Sequence, residues 1–178
     1  MDLLDFEAQS LYFEEALPGH VEALLKEAAG AYGSEDAEPL LLRAWFLEPE
    51  HLTVLVALYR YYYYQHRYAD ALLVAERAMV IAGRRLGLRY DWPELTLPSL
   101  GPGILRSMTL TRFYLMALKG SGYLLLRSGD IRDGLARLEK VAELDTEDRL
   151  GARALVQVAR YELQRQDLQA YANVVSMS

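Results

Sequence analysis

The chain has 178 residues, 25 Asp+Glu against 19 Lys+Arg, a formal net charge of −6, and 52% hydrophobic residues. That length and apolar content suit one domain (1–178) or one short helical array and exclude a mainly disordered chain, while the acidic balance argues against general nucleic-acid binding. Zero cysteines exclude disulfides, thiolate catalysis and Cys-type metal sites, and the absence of an uninterrupted apolar run or a basic-plus-apolar leader predicts a cytoplasmic protein that does not engage membranes.

Apolar residues recur at helical spacing and strand-like alternation is absent, so the predicted class is all-α. Breakers divide the chain into helical runs at 2–16, 19–32, 35–47, 52–65, 68–88, 104–128, 131–144 and 148–165. The first run reads as an N-terminal capping helix. Pro39 is awkward in the third, because beyond a helix's first turn proline deletes a backbone bond. Trp45, beside Ala44, is expected in the core. Residues 86–114 read as an insertion, with Leu86, Leu88, Ile104, Leu105, Leu110 and Phe113 extending the flanking helices. Between them, Pro93, Pro98 and Pro102 predict an ordered loop over 90–103, which Trp92, Leu95, Leu97 and Leu100 can dock. Residues 148–178 form closing helices.

Internal spacing groups these runs. Ala37 and Ala71, Leu41 and Ala75, and Ala44 and Ala78 are each 34 residues apart. In windows 18–51, 52–85 and 115–148, small residues (Ala37, Ala44, Ala71, Ala78, Gly122, Gly134) alternate with bulky ones (Val21, Leu55, Tyr62, Leu118, Leu138) in one register. This resembles the tetratricopeptide repeat, in which small residues let paired helices approach. Tyr59 departs from the pattern at a position where Gly or Ala is usual. The resemblance implies a right-handed α-solenoid of about three helix pairs with N-terminal and C-terminal capping helices. It says little about function, because such a fold hosts unrelated activities.

Catalytic patterns fail to appear. His20, His51 and His66 are scattered, and no His pair at metal-ligand spacing, nucleophile elbow or phosphate loop exists. The expectation is a protein that is not an enzyme and uses no metal or cofactor.

A concave surface can be projected from the repeat resemblance. It carries six basic residues (Lys26, Arg60, Lys119, Arg127, Arg153, Arg160) against one acidic residue, Glu22. Tyr63, Tyr64, Tyr123 and Gln157 complete the expected wall, and Trp92 is a candidate lid. Tyrosine offers a large, low-entropy apolar face with a polar tip. The expected partner is another protein or peptide, acidic or presenting its C-terminal carboxylate, held by an adaptor or assembly helper. The family's two-carboxylate clamp for chaperone tails is missing, since its positions hold Glu22, Lys26, Ala57, Met116 and Gly120. Rival readings are a secretion-type or metalloenzyme-maturation chaperone, and a permanent structural subunit whose groove is filled by its own segment or by a second copy in a homodimer. The tyrosine run at 58–66 and residues 86–88 are also similar to small repeat proteins encoded beside bacterial nitrogen-fixation genes, which implies a role in metalloenzyme assembly.

Overall fold

Side-chain caps mark where several of the helices start, and apolar stripes set what each buries. The computed structural model describes residues 15–89 and 91–176, and these form eight α-helices, one 3-10 turn and no strand. The helices are α1 (Gly19–Gly30), α2 (Ala37–Leu47), α3 (Leu52–Tyr64), α4 (Tyr68–Leu86), α5 (Leu97–Arg106), α6 (Met108–Arg127), α7 (Ile131–Leu144) and α8 (Ala152–Ser176), with the 3-10 turn at Trp92–Glu94. The expected capping helix at 2–16 lies outside the described residues except for its last two positions. His51 Nδ1 accepts the Thr53 amide to open α3, Ser107 Oγ accepts the Leu110 amide to open α6, and Asp130 accepts the Asp133 amide to open α7. Pro39 is the third residue of α2, where its missing N–H would have had no helical acceptor, so it costs the helix nothing.

Three sequence expectations are corrected. The loop expected at 90–103 becomes a 3-10 turn followed by α5, so Ile104 and Leu105 belong to α5 and not to an extended first helix of the next pair. Pro93 and Pro98 fall in first turns, where no amide donor is needed, and Thr96 and Ser99 form a reciprocal capping box. Burial of Leu95 and Leu100 then outweighs the cost of Pro102 inside the helix. Second, α8 runs to Ser176 and not to 165. Third, Trp45 is 41% exposed: Ala44 turns inward from α2, and the next residue along a helix points well away from it.

Consecutive helices pack on one another, α1 on α2, α2 on α3, α3 on α4, α6 on α7 and α7 on α8, while α4 meets α6 across the inserted segment. One core cluster runs from Ala28 and Leu41 through Leu58, Ile81, Leu100 and Phe113 to Leu150 and Ala152. Ala37, Ala44, Ala71 and Ala78 are all buried. In the α3/α4 pair only α4 supplies the small residues, because Tyr59 on α3 is a fully buried tyrosine. Between α6 and α7 the backbones come close together. A Cβ on Gly134 would lie 2.8 Å from the Gly122 carbonyl oxygen and 2.8 Å from Leu126 Cδ2. No helix among the described residues is long and apolar enough to cross a membrane.

This contact yields a paired prediction. Gly134→Ala must push two backbones apart and should cost about 1–3 kcal/mol in urea unfolding. Gly101→Ala, whose Cβ would meet nothing within 4 Å, should instead stabilise α5 by roughly 0.5–1 kcal/mol.

Candidate functional site

A cleft opens between α1 and α3. It has a volume of about 400 Å3 and is lined by Leu25, Ala29 and Tyr32 from α1 and its following turn, Leu41 from α2, and Thr53, Val56, Ala57, Arg60 and Tyr64 from α3. Its floor is apolar because α3 turns Val56, Ala57 and Arg60 to one side at helical spacing while Leu55, Leu58 and Tyr59 pack inward. Arg60 is half-buried at this site. No carboxylate among the described residues pairs with it. Its charge acts instead on Tyr32, whose hydroxyl is pushed up by burial and drawn partly back by the Arg60 guanidinium.

The tyrosine run continues the surface from there. Tyr64 is 55% exposed and its ring meets Tyr63 edge to face at 5.5 Å. Tyr63 also stacks on Tyr59 at 6.3 Å and approaches Tyr68 at 6.1 Å and Tyr123 of α6 at 6.3 Å. Arg127 lies over this group, 4.9 Å from the Tyr68 ring, and donates to the Tyr123 hydroxyl at 3.2 Å. That hydrogen bond, with its neighbouring tyrosines, raises the Arg127 pKa and holds it charged.

Tyr61 and Tyr62 face elsewhere. The Tyr62 hydroxyl donates to Glu38 at 3.3 Å beneath the Arg67 guanidinium, and burial together with the Glu38 carboxylate pushes it up to about 12.

Of the residues expected on the wall, five come together: Arg60, Tyr63, Tyr64, Tyr123 and Arg127. Lys26 sits exposed on α1, paired with Glu22 at 2.7 Å. Lys119 is a correction, for it is 5% exposed and donates to the Leu150 carbonyl at 2.7 Å, tying α6 to the turn before α8. The Arg153 guanidinium donates to the Thr146 carbonyl at 2.6 Å, Arg160 donates to Glu139 at 2.6 and 3.0 Å, and Gln157 is exposed on α8. Trp92 does not lean over the cleft. It packs on the core with the Arg137 guanidinium 5.4 Å from its ring, and lines a separate cavity of about 550 Å3 with Glu76, Gly83 and Tyr114. The sequence reading missed Tyr32, because projection along first helices omits the turn after α1, and it missed Leu25 and Leu41, because the repeat register assigns both to packing between helices. No group of three or more His, Asp or Glu that could hold a metal ion occurs among the described residues.

The chain is 50% identical, over 158 residues, to an uncharacterised 19.8 kDa protein in the nifW 5′ region of Azotobacter chroococcum mcd 1; the match covers 89% of this chain and 88% of that protein. No family model matches the chain, and no solved structure matches it.

Two predictions follow from these placements. Lys119→Met should lower stability by about 1–2 kcal/mol in urea unfolding, the value of a buried charge-assisted hydrogen bond lost with its acceptor left behind. Tyr62 and Tyr114 are both pushed up to about 12, Tyr114 mainly by burial and secondarily by Asp91. Each binds its proton more tightly folded than unfolded, so its contribution is complete below pH ~10 and is lost as pH rises through 12. The urea midpoint should fall over that window, and less steeply in Tyr62→Phe and Tyr114→Phe.

Proposed function

The chain belongs to the family of this uncharacterised protein from the nifW 5′ region, and from that premise we propose a non-enzymatic protein-binding helper that serves nitrogen fixation. It holds a carboxylate-bearing segment of a client protein in the α1/α3 cleft. The observation that carries the reading is Arg60, a half-buried residue beside an apolar floor with no carboxylate partner among the described residues. A planar fork in such a place is suited to receive a carboxylate in bidentate fashion, and partial burial strengthens the pair relative to open water. Tyr32 and Tyr64 offer hydroxyls at the rim, and the Tyr63, Tyr123 and Arg127 group extends the surface along the bound chain.

The finer fold reading belongs with this proposal. We read α1/α2, α3/α4 and α6/α7 as three tetratricopeptide-like pairs closed by α8. The 34-residue spacing, the buried alanines and the Gly122/Gly134 contact support it.

A second reading, a maturation chaperone holding an apolar client surface, is favoured by the outer face of α2 and α4. Leu42, Trp45 and Leu73 line a cleft of about 190 Å3 there, and Phe46 is 83% exposed.

Capture from an extract of nitrogen-fixing cells separates the two. In the carboxylate reading, Arg60→Glu cuts recovery of the client about tenfold or more, and added salt releases it. Recovery that is unchanged by Arg60→Glu but lost on Phe46→Glu with Leu73→Glu discards the cleft in favour of the apolar face.

A further inference from the structure

The cavity of about 550 Å3 beside Trp92 lies between α4, the 3-10 turn and α6, and it shares no lining residue with the α1/α3 cleft. Its volume is that of a small-molecule site. Helix α4 turns Glu76, Val80, Gly83 and Arg84 toward it at helical spacing, and Leu88 and Pro93 of the inserted segment give it an apolar side. Gly83 is buried within α4, and a Cβ there would lie 3.3 Å from Tyr114 Cε2. The bare backbone at that point gives the Tyr114 ring its place against α4.

Two groups in this cavity have no partner. Tyr114 is only 4% exposed, yet its hydroxyl makes no hydrogen bond among the described residues. A buried polar group normally finds one. Asp91 lines the same cavity without a cation among the described residues, and it stands close enough to help raise the Tyr114 pKa. The remaining charges are already paired, because Glu76 accepts from Arg137 at 2.6 Å and Arg84 donates to Glu50. One negative charge is therefore left uncompensated, next to an unpartnered hydroxyl.

That balance selects the ligand. An anion would meet two carboxylates, and a purely apolar body would leave the Tyr114 hydroxyl without a partner. The free acceptors are the Asp91 carboxylate, the Glu76 oxygen not taken by Arg137, and the Tyr114 hydroxyl oxygen. A primary ammonium is their complement, with three donors and no acceptor. We propose that this cavity binds a primary organic amine as its ammonium ion, the charged head against Asp91, Glu76 and Tyr114 and the hydrocarbon body against Val80, Leu88 and Pro93. The amine is either a free small molecule or the side chain of a lysine on another protein.

Fluorescence of the full chain carrying Trp45→Phe tests this, because Trp92 is then its one tryptophan. Phenethylamine at neutral pH should change the Trp92 emission saturably at about millimolar concentration, and calorimetry on the wild type should return the same constant. Phenethyl alcohol, which lacks the charge, and the N,N,N-trimethyl derivative of the amine, which keeps the charge but donates no hydrogen bond, should each bind about tenfold more weakly. Asp91→Asn should weaken the amine about tenfold, and Tyr114→Phe, which keeps the ring against Gly83, about threefold to tenfold, both with the helical circular-dichroism signal retained. The tighter of phenethylamine and Nα-acetyl-lysine methylamide names the source, a free amine or a lysine side chain. Absence of saturation by both of these amines in both measurements, an alcohol that binds as tightly as the amine, or binding indifferent to Asp91→Asn would each overturn the proposal.

Discussion

Two glycine backbones in contact set the spacing from which much of this molecule is built. Gly122 on α6 and Gly134 on α7 lie so close that neither has room for a methyl group. Because α6 and α7 approach to backbone distance there, Arg137 reaches Ser121 at 3.0 Å and Glu76 of α4 at 2.6 Å. The same α7 surface receives the inserted segment, with the Arg137 guanidinium against Trp92 and Lys140 donating to the Leu95 carbonyl at 3.0 Å. Moving α7 outward would therefore loosen three other parts of the chain, and interiors packed at this density accommodate such a shift poorly.

The tyrosine run shows how one stretch of identical side chains is divided by helical rotation. Tyr59 and Tyr62 turn into the core, Tyr61 meets Tyr32 edge to face at 6.0 Å, and Tyr63 and Tyr64 carry the surface from the cleft toward α6. Packing supplies the apolar body in every case, and the hydroxyl decides the role. The Tyr62 hydroxyl beside Glu38 ties α3 to α2, while the Tyr123 hydroxyl of α6, at the far end of the same surface, keeps Arg127 in place on the open side.

Arginine divides in a similar way. Arg67, Arg84, Arg137, Arg160 and Arg165 are held by carboxylates of the chain itself. Most of these pairs are exposed, and each contributes little to stability, but together they orient helices and consume charge that could otherwise face a partner. Arg60 has no such partner among the described residues and is half-buried in the cleft, which is why the proposed function rests on it. The outer faces of α2, α4 and α8 are the complementary case, with apolar side chains that no described part of the chain covers.

Helical periodicity, breakers and small residues at fixed spacing are local properties, so the sequence by itself determined the all-α class, most helix boundaries, the burial of Ala37, Ala44, Ala71 and Ala78, and the grouping of Arg60 with Tyr64. It failed where a residue's role depends on what another segment brings to it. Lys119 occupies a position that helical projection turns outward, yet the turn before α8 supplies the Leu150 carbonyl that draws it inside. The prolines and glycines of 93–103 break an isolated helix, yet the capping box and the buried Leu95 and Leu100 stabilise α5 against α4 and α6. Trp45 has the composition of a core residue, but no described helix lies beyond α2 to cover it. Burial and ion pairing are sums over neighbours remote in the chain, and only the tertiary structure decides which neighbours those are.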